Sequence, residues 1–236
     1  MRWLKTLAGG GGAISDEEEK KLNEILAKCH ATVEYTVGYG MTECGPLISY
    51  APWEQSRATS CGKIVDRMQA RIDSSDPENI VGELHVKGDN IMLGYYKNNE
   101  ATENAFKDGW LNTGDLAVMD KDNFIYLKGR SKNMILGPSG QNIYPEEIEG
   151  KLNNMPFVSE SIVIEKEGKL IALVYPDFEN AGKENITQKN IEIQMEENRI
   201  ALNKELPAYS QISQINIHYE EFEKTPKRSI KRYLYQ

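Results

Sequence analysis

The sequence predicts a mixed α+β fold in two parts, with a boundary near residue 130. Residues 60–128 contain short apolar runs separated by turn residues, a pattern typical of a small antiparallel sheet or barrel. After Gly129 the pattern changes to alternating helices and strands, which indicates a compact α+β part. The 236 residues suffice for one large or two small hydrophobic cores. No Pro/Gly/Ser-rich linker marks the boundary, so it rests on the change of pattern alone.

The first part is predicted to begin with a helix over residues 15–30. Ser15 and Glu18 form a capping-box pattern, and four apolar residues follow at helical spacing. These are Leu22, Ile25, Leu26 and Cys29. The run VEYTV, residues 33–37, predicts a strand that leads into a loop, GYGMTECGP. Short strands are then expected at CGKIV, MQARI, GELHVKG, LAVMD and FIYLKG, with one helix at ATENAF.

The second part is predicted to alternate helices with strands. Pro145 occupies the first position of a helix, and a hairpin over residues 161–176 follows it. Thr187 caps a long polar helix that ends before Pro207. Its apolar positions are Ile191, Met195, Leu202 and Leu206. A strand is expected at QINIHY, and the final segment is basic within an acidic protein.

The composition argues against several classes of protein. With 28 basic and 36 acidic residues the formal charge is −8, so the overall field gives no attraction toward nucleic acid. No apolar run approaches the roughly 20 residues that cross a bilayer, and the opening residues lack the apolar core of a signal peptide. We therefore expect a cytoplasmic protein without a transmembrane segment. The three cysteines show no C-x-x-C spacing and the three histidines lie far apart, which argues against a disulfide framework or a protein-ligated transition metal.

Four stretches carry the functional signal: YGMTE at 39–43, GELHVKGDNIMLGYY at 82–96, WLNTGD at 110–115 and GRSKNMILGPSGQNIYPEEIE at 129–149. In this order and spacing they resemble the adenylate-forming (AMP-binding) superfamily of acyl-CoA synthetases, luciferases and peptide-synthetase adenylation domains. The last stretch looks closer to long-chain fatty acyl-CoA synthetases than to amino acid adenylation domains. The resemblance implies that residues 1–130 are the carboxyl-terminal remnant of a large AMP-binding domain and that 131–236 are the small lid domain.

The resemblance implies a nucleotide site in YGMTE. Tyr39 would supply an aromatic face for adenine, Thr42 a hydroxyl for the α-phosphate, and Glu43 a catalytic carboxylate that binds Mg²⁺. Gly38 and Gly40 would let the backbone approach the nucleotide. An ordinary loop with a capping threonine and a solvated glutamate is the alternative.

WLNTGD and the arginine that follows it are expected to complete that site. By resemblance, Asp115 binds both ribose hydroxyls, because an ionised carboxylate offers two acceptor oxygens. Arg130 would bring a permanent cation to the ribose and phosphate side of the same nucleotide. A surface ion pair between the two, worth about 0–1 kcal/mol, is the alternative. GELHVKG is typical of a strand, and we assign Glu83, His85 and Lys87 to the scaffold without chemistry.

The stretch from 129 to 149 is expected to serve movement and thioester formation. Lys132 matches the family's hinge, where a few residues absorb a large rotation. Gly137 and Gly140 match a loop that forms the coenzyme A tunnel, where glycine permits close approach of the pantetheine arm. A plain hairpin with turn glycines is the alternative.

The tail matches the family less well. The family has a catalytic lysine in a segment resembling P-x-G-K-I-x-R, where a mobile cation neutralises developing charge. Three residues are in register with this pattern: Pro226, Ile230 and Arg232. Ser229 stands at the position of the lysine, while Lys227 and Lys231 are each within two residues of it. Either lysine is a candidate for the catalytic cation, and a solvated basic tail is the alternative.

The sequence contains no Gly/Ser/Thr-rich loop of the kind that cradles the β- and γ-phosphates. We therefore expect the chain to begin inside the large domain and to be inactive alone. For the parent protein the resemblance implies a fatty acid–CoA ligase that uses ATP, Mg²⁺ and coenzyme A, with acyl-AMP formed first and the thioester second. Two alternatives stay open: an adenylation domain that loads a carrier protein, and a non-catalytic nucleotide-binding module that retains Asp115 and Arg130.

Overall fold

The structure, a computed structural model, describes residues 3–10, 16–183, 187–226 and 228–236, with the backbone alone for residues 16 and 17. The chain forms two compact units, Met1–Lys132 (unit 1) and Asn133–Gln236 (unit 2). Both contain α-helices and β-strands, so the fold is of the predicted mixed class. None of the helices in the described ranges is long and apolar enough to cross a membrane.

Unit 1 is mostly β-structure. Its described helices are α1 (Asp16–Lys28) and α2 (Asn99–Ala105). Its described strands are β1 (Leu7–Gly9), β2 (Tyr35–Val37), β3 (Tyr39–Gly40), β4 (Leu47–Tyr50), β5 (Lys63–Ile64), β6 (Met68–Asp73), β7 (Gly82–Gly88), β8 (Phe106–Lys107), β9 (Trp110–Met119) and β10 (Ile125–Arg130). Strands β1 and β2 pair in parallel, and β3, β4 and β5 form a small antiparallel sheet.

The largest sheet of unit 1 is antiparallel and has the strand order β10-β9-β7-β6, with β8 paired to β9. Alternate residues of β7, including Leu84 and Val86, are fully buried and pack with Leu111 and Ile125. Burying each such side chain contributes about 1.5–3 kcal/mol. The register of β9 and β10 places Arg130 directly opposite Asp115, which brings two predicted site residues together across neighbouring strands.

Unit 2 combines helices with a mixed sheet. Its described helices are α3 (Pro145–Leu152), α4 (Phe178–Lys183) and α5 (Gln188–Glu205). Its described strands are β11 (Ile135–Leu136), β12 (Asn142–Ile143), β13 (Val158–Lys166), β14 (Lys169–Pro176) and β15 (Gln214–Ile217). Strands β13 and β14 form an antiparallel hairpin, and β15 joins β14 in parallel.

The core of unit 2 lies where α3 and α5 pack on this sheet. Leu152 of α3 and Met195 and Leu202 of α5 are at most 2% exposed and belong to one cluster with Val163 and Val174. As predicted, a threonine caps α5: the N–H of Asn190 donates to the Thr187 hydroxyl at 3.3 Å. The predicted α3, the β13–β14 hairpin and β15 are confirmed as elements.

Other details of the prediction need correction. Helix α1 exists, but Ile25 is 53% exposed, so the buried face of α1 includes Leu26 and excludes Ile25. The predicted cap Ser15 lies outside the described residues. The predicted loop after β2 contains β3 and a 3₁₀ helix, Thr42–Cys44, because residues 39–40 pair with β4. Strand β5 likewise pairs with β4 and does not join the large sheet. Helix α4 was not predicted.

Candidate functional site

Tyr39, Asp115 and Arg130 meet in unit 1. The Tyr39 hydroxyl donates to Asp115 Oδ2 at 2.5 Å, and Arg130 Nε pairs with Asp115 Oδ1 at 2.8 Å. Arg130 also donates from Nη1 to the carbonyl of Thr113 at 3.2 Å. The Asp115 side chain is 10% exposed, whereas that of Arg130 is 49% exposed. The Asp115 carboxylate is therefore nearly buried. One of its oxygens accepts a hydrogen bond from the Tyr39 hydroxyl, and the other pairs with the accessible guanidinium of Arg130.

Hydrogen bonds within the NTGD segment fix the direction of the Asp115 side chain. The N–H of Gly114 donates to Asn112 Oδ1 at 2.8 Å, and the N–H of Asp115 donates to Thr113 Oγ1 at 3.1 Å. The Thr113 hydroxyl donates in turn to the carbonyl of Leu84 on β7 at 2.9 Å. Gly114 has a φ of +69°, a conformation that favours glycine. The backbone at the middle of β9 is thus shaped to present one carboxylate.

The electrostatics of the cluster keep Tyr39 in its neutral form. Burial raises the pKa of the Tyr39 hydroxyl, and the negative charge of Asp115 raises it further. A neutral hydroxyl remains a donor, so Tyr39 occupies Asp115 with the same kind of group that a sugar presents.

Glu43 lies in the 3₁₀ helix after β3 and accepts a hydrogen bond from Tyr95, a residue for which no role was predicted. The Tyr95 hydroxyl donates to Glu43 Oε1 at 2.9 Å, and the N–H of Met92 donates to the Glu43 carbonyl at 2.8 Å. Asn90 Nδ2 donates to the carbonyls of Cys44 and Leu47 at 2.5 and 3.1 Å. The GDNIMLGYY stretch therefore supports the loop that carries Glu43. The sequence signal for this role is that the stretch contains polar residues that do not follow the alternation of a strand.

The residues near Glu43 fit a magnesium ion that is delivered with a nucleotide. Within the described ranges, no three His, Cys, Asp or Glu side chains are grouped to hold a metal ion. Mg²⁺ commonly keeps several waters and takes only one or two carboxylates together with substrate phosphates. The carboxylate of Glu43 is partly exposed and oriented by Tyr95, which is compatible with that mode of binding. Burial of the adjacent Cys44 raises its thiol pKa to about 12, so it is no nucleophile.

The glycines of the first motif have a packing role in this structure. A Cβ on Gly40 would lie 1.9 Å from the carbonyl oxygen of Pro46, so no larger residue fits there. A Cβ on Gly38 would lie 3.4 Å from the Ser49 carbonyl oxygen, an ordinary contact. The close approach at residue 40 is therefore to the chain's own backbone, and Thr42 beside it is exposed. A role of these glycines toward a nucleotide stays a prediction.

Lys132 belongs to unit 1, and the two glycines after it belong to unit 2. Lys132 is exposed in a 3₁₀ helix, Ser131–Asn133, at the end of unit 1. In unit 2, the N–H of Gly137 donates to the Gln141 carbonyl at 2.8 Å, and the N–H of Gly140 donates to the Gly137 carbonyl at 2.9 Å. These bonds close the hairpin between β11 and β12. Gly140 has a φ of +82° and open space around it, so its backbone demands glycine and nothing crowds it.

The tail of unit 2 is tied down by ion pairs. Lys231 Nζ lies 3.0 Å from Glu223 Oε2, so this candidate cation already has a partner. Arg232 pairs with Glu149 of α3, and the two side chains are only 14% and 9% exposed. The other candidate, Lys227, lies outside the described residues. Ser229, at the position of the expected lysine, accepts a backbone hydrogen bond from Thr225 at 2.8 Å that closes the turn between them.

The pKa of Glu149, the partner of Arg232, is strongly shifted. Burial raises its pKa to about 7, although the charge of Arg232 and the N–H of Val163 lower it. Val163 donates to Glu149 Oε1 at 2.6 Å. The same side chain thus connects α3, β13 and the tail, and this contact could not be predicted because the tail lies far from α3 and β13 along the chain.

The sequence matches the AMP-binding enzyme family in two places: AMP-binding enzyme over residues 1–96 and AMP-binding enzyme C-terminal domain over residues 132–235. A long-chain-fatty-acid–CoA ligase from Escherichia coli O6:H1 is 44% identical over 163 residues, covering 66% of this chain and 28% of that protein. A 2-succinylbenzoate–CoA ligase from Bacillus cytotoxicus is 38% identical over 165 residues, covering 68% and 33%. The chain therefore spans about a third or less of the length of these relatives.

The fold also matches solved structures. The o-succinylbenzoate coenzyme A synthetase from Bacillus subtilis, in complex with ATP and magnesium ion, superposes with a TM-score of 0.76 at 25% identity. The match covers 97% of this chain and 46% of that one. Family profiles that together cover most of the chain, similarity to CoA ligases and this shared fold agree with one another. The chain belongs to the AMP-binding enzyme family, and its sequence relatives include long-chain-fatty-acid–CoA ligases.

Proposed function

We propose that this chain is part of an ATP-dependent long-chain fatty acid–CoA ligase. The observation that carries the proposal is the meeting of Tyr39, Asp115 and Arg130, which come from distant parts of the sequence. A buried carboxylate beside an aromatic ring and an accessible guanidinium suits a nucleoside phosphate. The 44% identity to a fatty acid–CoA ligase supports the choice of substrate.

In this proposal Asp115 accepts hydrogen bonds from the ribose hydroxyls, with one of them replacing Tyr39. The ring of Tyr39 then lies against adenine, and Arg130 faces the ribose and α-phosphate. Thr42 donates to the α-phosphate, next to Gly38 and Gly40 of the same loop. Glu43, oriented by Tyr95, would hold Mg²⁺, which supplies positive charge to the phosphates when bound.

The reaction has two displacements. A carboxylate oxygen of the fatty acid attacks the α-phosphorus of ATP, and the bond from this phosphorus to the oxygen that bridges to the β-phosphate breaks. The products are acyl-AMP and pyrophosphate. The thiol of coenzyme A then loses its proton and attacks the acyl carbonyl carbon, and AMP leaves with the electron pair. Lys132 acts as the hinge between these steps, Gly137 and Gly140 border the coenzyme A tunnel, and Lys227 or Lys231 neutralises charge during the first step.

The whole reaction is proposed for a longer protein that contains this chain, because the matches cover only 28% and 33% of the two relatives. Fatty-acid-dependent ATP–pyrophosphate exchange by that protein is the direct test. We expect exchange with palmitate and none with succinylbenzoate. Exchange with succinylbenzoate alone would contradict the substrate, and exchange without transfer to coenzyme A would favour a carrier-protein adenylation domain. The 236-residue chain alone should show no exchange and weak ATP binding.

A second candidate function is a nucleotide-binding module without ligase activity. Two observations favour it: Ser229 replaces the expected lysine, and Lys231 is paired with Glu223. The two functions differ in one result. A module binds AMP in calorimetry but shows no exchange with any carboxylic acid, whereas the ligase shows both. The cytoplasmic location also stays a prediction.

A further inference from the structure

The Glu83 carboxylate links two segments of unit 1 that are distant in sequence. Its Oε1 accepts a hydrogen bond from Ser131 Oγ at 2.6 Å, and its Oε2 accepts one from Asn112 Nδ2 at 2.9 Å. Glu83 lies in β7, Asn112 lies in β9, and Ser131 directly follows β10. Hydrogen bonds to an ionised acceptor are about twice as strong as neutral ones, so this carboxylate restrains both partners.

Each partner of Glu83 leads to a different feature of unit 1. Asn112 accepts the N–H of Gly114 on its Oδ1, so the orientation of Asn112 sets the turn that presents Asp115. Ser131 precedes Lys132, the last residue of unit 1. An amide group is planar, and holding its nitrogen therefore fixes the direction of its oxygen. Hydrogen bonds through Asn112 and Glu83 therefore connect the Asp115 turn to Ser131.

The buried His85 does not compete for the charge of Glu83. Its Nε2 lies 3.8 Å from Glu83 Oε2, too far for a hydrogen bond, and its side chain is 1% exposed. Burial lowers the His85 pKa and the cation of Arg71 lowers it further, while Glu83 and Asp73 act in the opposite direction. The ring is therefore neutral near pH 7, and the Glu83 carboxylate serves Ser131 and Asn112.

We propose that Glu83 is a positioning residue that couples the Asp115 turn to Ser131 and Lys132 at the end of unit 1. Its consequence for ligands rests on the proposed function, in which Asp115 binds a ribose. A bound nucleotide restrains Asp115 and, through Asn112 and Glu83, also restrains the segment by which the chain leaves unit 1. Without Glu83, the link through Asn112 is lost and only the direct ion pair of Asp115 with Arg130 connects nucleotide binding to this segment.

Limited proteolysis of the full-length protein tests the link to Ser131. Trypsin cleaves after Arg130 and after Lys132, so mass spectrometry of these two cuts measures how often the segment opens. In Glu83→Ala we expect cleavage about tenfold faster, which corresponds to about 1.4 kcal/mol. Glu83→Gln should be intermediate, since its amide has one acceptor oxygen where the carboxylate has two.

Glu78→Ala is the matched control, because the side chains of Glu78 and Glu83 are both 37% exposed and Glu78 pairs elsewhere, with Lys121. Its cleavage rate should equal that of the wild type. Ser131→Ala removes the same hydrogen bond from the other side and should also speed cleavage. The double variant Glu83→Ala/Ser131→Ala should be no faster than Glu83→Ala. Additive effects, or an unchanged rate in Glu83→Ala, would overturn the proposal.

Adding AMP tests the coupling itself. Saturating AMP should slow cleavage after Lys132 several-fold in the wild type and clearly less in Glu83→Ala, where only the direct Asp115–Arg130 pair remains. Equal protection of both proteins by AMP would show that Glu83 does not couple the two places. Calorimetry measures AMP binding separately: if the wild type binds no AMP, the proposed function fails. In that case the rates without AMP still decide whether Glu83 holds Ser131.

Discussion

The two units use the same chemical pair in different environments. In unit 1 the Asp115 side chain is 10% exposed and its partner Arg130 is 49% exposed. In unit 2 the Glu149 side chain is 9% exposed and its partner Arg232 is only 14% exposed. The carboxylates are equally shielded, so the difference lies in the arginines. An accessible arginine leaves a pair open to a ligand, whereas a covered one makes the pair part of the scaffold.

Removing each arginine should change the stability of the two units by very different amounts. Arg232→Met leaves Glu149 buried without its partner, and such a loss costs about 3–5 kcal/mol. Arg130→Met should cost only about 1 kcal/mol, because Asp115 keeps the hydrogen bond from Tyr39 and water can replace the half-exposed guanidinium. All three tryptophans, Trp3, Trp53 and Trp110, belong to unit 1, so their fluorescence in urea reports that unit alone. The methyl NMR signal of Met195, which is 2% exposed in the core, reports unit 2. Equal losses in the two variants would contradict the comparison.

The stability of unit 2 should depend on pH through Glu149. The Glu149 pKa is raised from its ordinary value of 4.5 to about 7, chiefly by burial, so folding favours the protonated carboxyl. Its contribution to stability is therefore complete below pH 4.5 and is lost as the pH rises to about 7. At 1.36 kcal/mol per pKa unit the loss amounts to about 3 kcal/mol.

Glu149→Gln cannot titrate, so it isolates this term. The difference in unfolding free energy between wild type and Glu149→Gln should change by that amount across the window, with the wild type losing stability as the pH rises. Urea unfolding followed at the Met195 methyl group gives both curves. A difference that stays constant with pH would mean that Arg232 keeps Glu149 ionised throughout.

The pair of Asp115 and Arg130, whose arginine is accessible, should be needed for activity. Asp115→Ala removes the acceptor proposed for both ribose hydroxyls, and two lost charge-assisted hydrogen bonds correspond to about a 100-fold or larger fall in ATP–pyrophosphate exchange. Asp122→Ala is the control, because Asp122 also pairs with an arginine, Arg57, on the surface of unit 1. A loss of less than threefold in Asp115→Ala would remove Asp115 from the nucleotide site.

The sequence allowed the contact between Asp115 and Arg130 to be anticipated, but not the contact between Glu149 and Arg232. Asp115 and Arg130 lie on neighbouring strands of a hairpin, so local strand pairing brings them together, and each belongs to a recognisable motif. Glu149 and Arg232 are 83 residues apart and meet only after α3, β13 and the tail have packed. Periodicity predicts which face of an element is buried, but it contains no information on which distant charges share a buried site.

The same reasoning explains the residues that were missed. Tyr95 follows β7 and was given no role, whereas Glu83 was assigned to the strand scaffold, because alternation accounts for the strand and says nothing of the hydrogen bonds that its side chains make. Ile25 was placed on the apolar face of α1 because it follows the helical repeat, but this face is only partly covered and Ile25 is exposed. Strand β3 was taken as loop because glycines usually mark turns, whereas Gly40 here permits backbone contact with Pro46.

A smaller effect is expected for Tyr95→Phe. This change removes the donor to Glu43 and keeps the ring, so Glu43 loses one restraint worth about 1 kcal/mol. We expect the KM for Mg–ATP to rise about fivefold with little change in kcat, because the carboxylate retains its charge. Tyr96→Phe is the control, since Tyr96 is the adjacent tyrosine and is 89% exposed. The same KM in both variants would show that Tyr95 does not orient Glu43 for the metal.

Lys231→Ala should have the smallest effect. Lys231 is paired with Glu223, and an exposed pair of this kind contributes about 0–1 kcal/mol. If its role is to hold the tail, ATP–pyrophosphate exchange falls by less than about twofold, as it should for Lys151→Ala, whose lysine pairs with Glu205 on the surface of the same unit. Lys227→Ala should then cause the larger fall, because one tail cation must act in place of the lysine that Ser229 replaces. Full exchange in both tail variants would mean that neither lysine neutralises the α-phosphate, and a large fall in Lys231→Ala alone would mean that its ion pair with Glu223 opens during the reaction.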